Sequence, residues 1–225
     1  MKDNKKDNKN EDLEYRCGFV ALLGRPNVGK SSIINTLLKE KVAAVSSKPQ
    51  TTRNAIRCIL TTEKEQIIFV DTPGIHKPKN VLGDFMVNEA GKALTQVDLI
   101  CFVVEAGDRS IGEQEELIIE ILSKCGVPIV LAVNKVDKLP DPELFWKTVE
   151  MYETRIIPAA VVPISAKKGT NMDVFIETLS GMLPVQPPIY PADMLMDTTE
   201  RFLAAEVIRE KVLNFTDQEV PHGTA

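Results

Sequence analysis

The chain is poor in the residues that build metal centres and disulfide frameworks. It has two histidines, His76 and His222, and four cysteines, Cys17, Cys58, Cys101 and Cys125. No cysteine pair has C-x-x-C spacing, so a zinc site is not expected. Three of the cysteines lie in or beside apolar runs, where a free thiol behaves as a small hydrophobe. Buried, reduced thiols in a reducing cytosol are therefore expected. No apolar run reaches the ~18 residues of a membrane-spanning helix. The opening MKDNKKDNKNEDLEY has no apolar core and does not read as a secretory signal. Positive charge is also in deficit: 27 Lys and Arg stand against 32 Asp and Glu, a formal net charge of −5. That balance argues against a broad, sequence-blind nucleic-acid surface, while leaving room for a local basic patch.

What is present is a rhythm. With 225 residues there is room for one sizeable core and part of a second unit. The 44% hydrophobic and 26% charged residues are those of an ordinary globular protein. Residues 1–14 are almost wholly Lys, Asp, Asn and Glu and read as a disordered tail. From 15 to 183, strand-like runs at 17–23, 55–62, 66–71, 99–105, 128–134 and 160–164 are interspersed with helical patterns at 31–38, 80–95, 112–124, 143–155 and 172–183. Unbroken Val/Ile/Leu strands separated by helices predict a mainly parallel sheet covered on both faces, a doubly wound α/β domain. The runs 55–62 and 66–71 are too close for a crossover helix. They predict a hairpin that leaves one antiparallel strand at the sheet edge. The acidic stretch GEQEELIIE reads as a solvated helix face above a core stripe. Residues 184–198 open with PVQPPIYP and read as a stiff extended linker. Beyond it, Phe202, Ala205, Ile208, Val212 and Phe215 mark one apolar helix face within 199–225, the opening of a second domain.

The segment Gly24, Arg25, Pro26, Asn27, Val28, Gly29, Lys30, Ser31, followed by Ser32, fits G-x-x-x-x-G-K-[ST] between a strand and a helix. Glycines let backbone N–H groups turn inward around phosphates, and the helix start adds partial positive charge. Lys30 supplies a point charge between β- and γ-phosphates, and the Ser31 hydroxyl is a hard oxygen for Mg²⁺. Asp71, Thr72, Pro73 and Gly74 close a later strand, where such sheets present their ligand crevice. Asp71 is expected to hold Mg²⁺ through water, and the Gly74 N–H to approach a γ-phosphate. Read alone, D-T-P-G is also a plain turn.

Asn134, Lys135, Val136 and Asp137 close the run PIVLAVN. A carboxylate accepts two hydrogen bonds from guanine N1–H and N2–H₂, whereas adenine offers no such pair. Rejecting an analogue without the needed group is worth a factor of about 10⁴. Asp137 is thus expected to select guanine, with Lys135 lying along the base and bracing the phosphate loop. Asn134 is expected to tie the loops together, and Ser165-Ala166 to offer a backbone N–H to guanine O6.

With these motifs in order, the chain resembles a translation-factor-class GTPase, and in detail the Era family: GRPNVGKSS, KPQTTR, DTPGIHKP, NKVD and ISAKKG. The similarity runs from about residue 15 to 183. Beyond it, ERFLAAEVIREKV resembles the first helix of that family's RNA-binding KH domain. The resemblance implies hydrolysis of GTP to GDP and phosphate, Mg²⁺, and a role in small-ribosomal-subunit maturation through its rRNA. It also implies a cytoplasmic protein that associates in part with the inner membrane. In KPQTTR, Thr52 (alternatively Thr51) is expected to complete the Mg²⁺ shell and sense the γ-phosphate, making a two-state switch. Ile75 stands where Ras-like enzymes carry a water-orienting glutamine, which implies slow basal turnover. Asn27 resembles the asparagine that coordinates K⁺ in potassium-stimulated relatives; a turn hydrogen bond is the plain alternative. His76 reads as a solvated loop residue rather than a proton shuttle.

After Pro184 the only glycine is Gly223, so the G-x-x-G loop of a KH domain is missing. The chain therefore reads as truncated or naturally short, with specific RNA binding expected to be weak. Two other readings remain open: a guanine-nucleotide interaction module with negligible turnover, and a P-loop ATPase, which Asn134–Asp137 disfavours.

Overall fold

The computed structural model describes residues 14–40, 56–71, 94, 96–197 and 208. The elements are β1 (Arg16–Leu23), α1 (Lys30–Leu38), β2 (Ile56–Thr61), β3 (Glu65–Asp71), β4 (Leu99–Glu105), α2 (Glu113–Cys125), β5 (Ile129–Asn134), α3 (Glu143–Glu153), β6 (Ala160–Pro163) and α4 (Met172–Gly181). The sheet order is β2-β3-β1-β4-β5-β6, and every neighbour pair is parallel except the β2–β3 hairpin. This is the doubly wound sheet with one antiparallel edge strand that the run spacing predicts. The helical pattern at 80–95 falls outside the described residues apart from Leu94. Of the expected helix after 199, only Ile208 is described; it is helical and exposed.

Two cores explain why the strands are apolar throughout. Side chains alternate across a strand, so Val20 and Leu22 of β1 face one layer and Ala21 and Leu23 the other. The first layer is closed by Ile33, Ile34 and Leu37 of α1 and by Phe175 and Leu179 of α4. The second is closed by Ile118 and Leu122 of α2 and by Val149 and Tyr152 of α3, with Tyr152 set edge-on to Phe102 at 5.6 Å between ring centroids. Such a ring pair adds about 0.5–1.5 kcal/mol beyond its buried area. Helix α2 carries Glu113, Glu115 and Glu116 in its first turn and Lys124 in its last, as the helix dipole favours, and stops at Gly126 in the left-handed region (φ 66).

The register sets where chemistry can occur. Leu22 pairs with Asp71 on one side of β1 and with Cys101 on the other, and Glu105 pairs with Asn134. The C-terminal ends of β1, β3, β4 and β5 therefore share one rim. The chain leaves β1 between β3 and β4, at the point where the strand order reverses, which in open α/β sheets is the ligand crevice.

The segment read as a stiff linker is extended but not free-standing. It lies back on the domain as a strap. Val185 and Met196 form antiparallel bridges to Arg16 and Cys58. Tyr190 and Met194 cover a small core of Cys17, Ile59 and Ile68. Fully buried Gln66 is the clasp. Its Oε1 accepts from the Ile189 and Tyr190 N–H groups at 2.8 and 2.9 Å, and its Nε2 donates to the Tyr190 carbonyl at 2.9 Å. The four cysteines are free; Cys17, Cys58 and Cys101 are buried, and burial raises the Cys101 thiol well above its ordinary range.

Candidate nucleotide-binding site

The loop between β1 and α1 is held open by two close approaches. Its backbone turns through the left-handed region at Asn27 (φ 64) and Gly29 (φ 109). A Cβ on Gly29 would lie 2.3 Å from Asn134 Nδ2, and one on Gly24 would lie 2.4 Å from the Val103 carbonyl oxygen. Glycine is thus required for packing against β4 and β5 as well as for turning N–H groups inward. Lys30 Nζ reaches back across the loop and donates to the carbonyls of Gly24 and Arg25 at 2.7 and 3.0 Å. Ser31 and Ser32 follow in the first turn of α1, where a helix has no acceptors of its own for its leading N–H groups.

Asn134 ties the loops together as its position predicts. It is buried at the end of β5, its Nδ2 donates to the Val28 carbonyl at 2.7 Å, and its Oδ1 accepts from the Ala166 N–H at 3.1 Å. One amide therefore joins the phosphate loop to the loop after β6. The same bond modifies an expectation. In this conformation the Ala166 N–H is turned to Asn134 and the Ser165 N–H to the Thr170 carbonyl, so neither is presented to a base. What Ser165 presents is its hydroxyl, which donates to Asp137 Oδ1 at 2.5 Å. This bond holds the Asp137 carboxyl below its ordinary value, with help from nearby Lys167 and Lys138. Asp137 is exposed at the mouth of a cavity of about 440 Å³. Asn27, Gly29, Ser32, Asn134, Lys135 and Ala166 are among the residues lining it.

Lys135 does not stand alone over this cavity. Its backbone is left-handed (φ 67), and its Nζ donates to Glu105 Oε2 at 2.6 Å. The same oxygen accepts from Arg25 Nη2 at 3.1 Å. Arg25 also pairs with Asp108 Oδ1 at 3.0 Å and with Glu115 Oε1 at 3.3 Å. Burial works against the Arg25 cation, but the charges of Asp108 and Glu115 outweigh it and raise its pKa. Burial pushes the Asp108 carboxyl up; Arg25 opposes the shift, while Glu105 and Glu115 reinforce it. In the helix read as a solvated face above a core stripe, Glu115 is the polar exception: its side chain is buried against Arg25 of the phosphate loop. Sequence reasoning missed Glu105, Asp108 and Glu115. The one available signal was a glutamate closing the unbroken apolar run LICFVV at a strand end.

Of the remaining expected residues, Pro26 and Val28 lie in the phosphate loop, Val28 buried. Asp71 closes β3 on the shared rim. Thr51, Thr52, Thr72, Pro73, Gly74, Ile75 and His76 lie outside the described residues. No cluster of three His, Cys, Asp or Glu side chains is poised for a metal ion among the described residues.

A glycine-rich loop leading into a helix, beside a cavity that Gly29, Lys135 and the Asp137 carboxylate line, on this sheet order, is the layout of the P-loop GTPases. Residues 19–135 match the 50S ribosome-binding GTPase family. GTPase Era of Caldanaerobacter subterraneus subsp. tengcongensis is 50% identical over 211 residues, covering 94% of this chain and 70% of that protein. An Aquifex aeolicus Era variant bound to GDP.AlF4- superposes with a TM-score of 0.82 at 37% identity, covering 92% of this chain and 70% of that one. Era in complex with MgGDPNP and a segment of 16S ribosomal RNA matches with a TM-score of 0.84, at the same identity and coverage. The chain belongs to the GTPase Era family, and it is a GTPase.

Proposed function

We propose that this chain is a GTP-operated switch acting on small-subunit ribosomal RNA, and that the expected site residues carry it. The observation that carries the guanine reading is Asp137: held below its ordinary carboxylate pKa, oriented by the Ser165 hydroxyl, and lining the same cavity as Gly29 and Ser32 of the phosphate loop and α1. Asp137 accepts from the base edge, Lys135 lies along the base, and Asn134 keeps the base loop and phosphate loop in register. Gly24 to Ser32 surround the phosphates. Lys30, which now holds two loop carbonyls, is drawn onto the β- and γ-phosphate oxygens as they arrive. Gly74 and Thr52 meet the γ-phosphate, and its loss on hydrolysis releases their loops.

The donor set suits Mg²⁺. Ser31 lies in the first turn of α1 and Asp71 closes β3 on the same rim, so a hydroxyl and a carboxylate, both hard oxygen donors, belong to the rim that carries the phosphate loop. Ser31, Asp71 and Thr52 would hold the ion. When bound, it supplies positive charge to the phosphate oxygens. Asn27, left-handed at the cavity wall, is the proposed K⁺ ligand.

Isoleucine at position 75 cannot orient water, which favours slow basal turnover. The rRNA reading is supported by the solved Era complex with 16S ribosomal RNA. The broader family description points to the 50S particle, so sucrose-gradient sedimentation with isolated 30S and 50S subunits separates the two. A cytoplasmic location agrees with four free thiols, three of them buried. Inner-membrane association is carried over from the family resemblance.

Calorimetry with GDP and ADP tests the core reading. GDP is expected to bind far more tightly, and Asp137→Asn to shift the preference to xanthosine diphosphate. Equal binding of ADP and GDP refutes it. Single-turnover hydrolysis in KCl and NaCl at matched ionic strength tests Asn27; equal rates remove the K⁺ role.

A further inference from the structure

We propose that Glu105 is a positioning residue that couples guanine recognition to phosphate binding. No nucleotide group need touch it. It closes β4 on the rim, between the two loops that grip opposite ends of the ligand. A single carboxylate oxygen, Oε2, accepts from Lys135 Nζ of the base loop at 2.6 Å and from Arg25 Nη2 of the phosphate loop at 3.1 Å. Its other oxygen lies 3.9 Å from Lys138 Nζ, one residue past Asp137. Arg25 cannot swing freely to compensate, because the same Nη2 also pairs with Asp108 and its Nε pairs with Glu115.

The consequence is energetic linkage. Lys135 is fixed only while Glu105 is fixed, and Glu105 shares its oxygen with the loop whose geometry the phosphates set. Ordering one end of the nucleotide lowers the cost of ordering the other, which is a coupling free energy between two subsites. The Asn134 amide joins the same two loops through backbone groups. Glu105 adds a link through charged side chains, so it changes discrimination rather than merely holding the fold.

Inosine diphosphate lacks the 2-amino group that Asp137 reads, and GMP lacks the β-phosphate. Affinities for GDP, inosine diphosphate and GMP therefore report the two ends separately. In Glu105→Gln, the preference for GDP over inosine diphosphate and that for GDP over GMP are both expected to shrink by about three- to tenfold, the order of magnitude for coupled charges that are partly shielded from water. Arg25→Ala, a change in the phosphate loop, is expected to shrink the inosine ratio too, and the double variant to shrink it no further. A merely structural role predicts that all three ligands weaken by one common factor with both ratios intact, and that result overturns the proposal. If Glu105→Gln does not fold, Glu105→Asp keeps the charge but is too short to serve both cations, and unchanged ratios there overturn it equally. The inference rests on Asp137 reading guanine. A wild-type chain that binds inosine diphosphate as well as GDP defeats that reading, whereas wild-type discrimination that survives both Glu105 changes defeats the coupling alone.

Discussion

The close approach of Gly29 to Asn134 predicts that a harmful substitution at one position softens a harmful substitution at the other. Gly29→Ala places a Cβ at φ 109, a region that costs an L-residue about 1–3 kcal/mol. The new carbon also lies 2.3 Å from Asn134 Nδ2, and among the described residues beyond its chain neighbours only the Asn134 Cγ joins that atom within 4 Å. Overpacking of this kind costs a further ~1–3 kcal/mol. Asn134→Ala is itself harmful, because it strands the Val28 carbonyl and the Ala166 N–H, each worth about 1–3 kcal/mol when buried without a partner. Yet it removes the atom that the new methyl group would strike. Gly29→Ala should therefore cost ~2–6 kcal/mol in the wild-type background and only ~1–3 kcal/mol in Asn134→Ala, the backbone strain alone. Gly24→Ala is the control. Its Cβ would meet the Val103 carbonyl at 2.4 Å, a contact that Asn134→Ala leaves in place, so its cost should be the same in both backgrounds. Equilibrium urea unfolding of the six proteins, without nucleotide and with m-values compared, measures every term. If Gly29→Ala costs the same in both backgrounds within about 0.5 kcal/mol, the packing account of this glycine is wrong.

Gln66→Leu should free the strap at 184–197 without dissolving the sheet, because three backbone groups of Ile189 and Tyr190 lose their buried partner. A loss of about 2–4 kcal/mol is expected, and amide exchange at Ile189 and Tyr190 should accelerate far more than at β4 or β5; unchanged protection there refutes the clasp. Acid should expose the Glu105 network. Burial pushes the Glu105 carboxyl up, but hydrogen bonds and charge from Lys135 and Arg25 outweigh it and hold the group below its ordinary 4.5. A folded-state value below the unfolded one stabilises the fold above the unfolded value, and the benefit is lost as pH falls through the folded value. The stability difference between wild type and Glu105→Gln should accordingly be flat near neutrality and shrink below about pH 4.5. A difference that widens on acidification would contradict this sign.

Much of the architecture was legible because it follows from local chemistry. The apolar runs of β4 and β5 had to be central strands, since only a sheet covered on both faces hides them. The short polar turn between β2 and β3 allowed nothing but a hairpin. The glycines and lysine of the phosphate loop, the strand end at Asp71 and the group Asn134–Asp137 pointed to a nucleotide site through residue types that few other tasks require at that spacing. What could not be read were contacts between residues that share no local pattern. Gln66 looked like one polar residue in a strand, yet it clasps Tyr190. Glu115 looked like part of a solvated face, yet it is buried against Arg25. The pair Ser165-Ala166 was expected to offer an N–H to the base, and the bonds that both N–H groups make within the protein, to the Thr170 carbonyl and Asn134 Oδ1, left no mark in the spacing.

The amino-acid order by itself settled the sheet, its single reversed edge, and the rim on which a guanine nucleotide would sit, because periodicity and turn chemistry act within a few residues. Only the tertiary structure decided which charge meets which across that rim and that the proline-rich segment lies back on the domain. Those outcomes depend on strand register and helix placement, which bring side chains from distant parts of the chain within hydrogen-bonding distance and leave no trace in spacing.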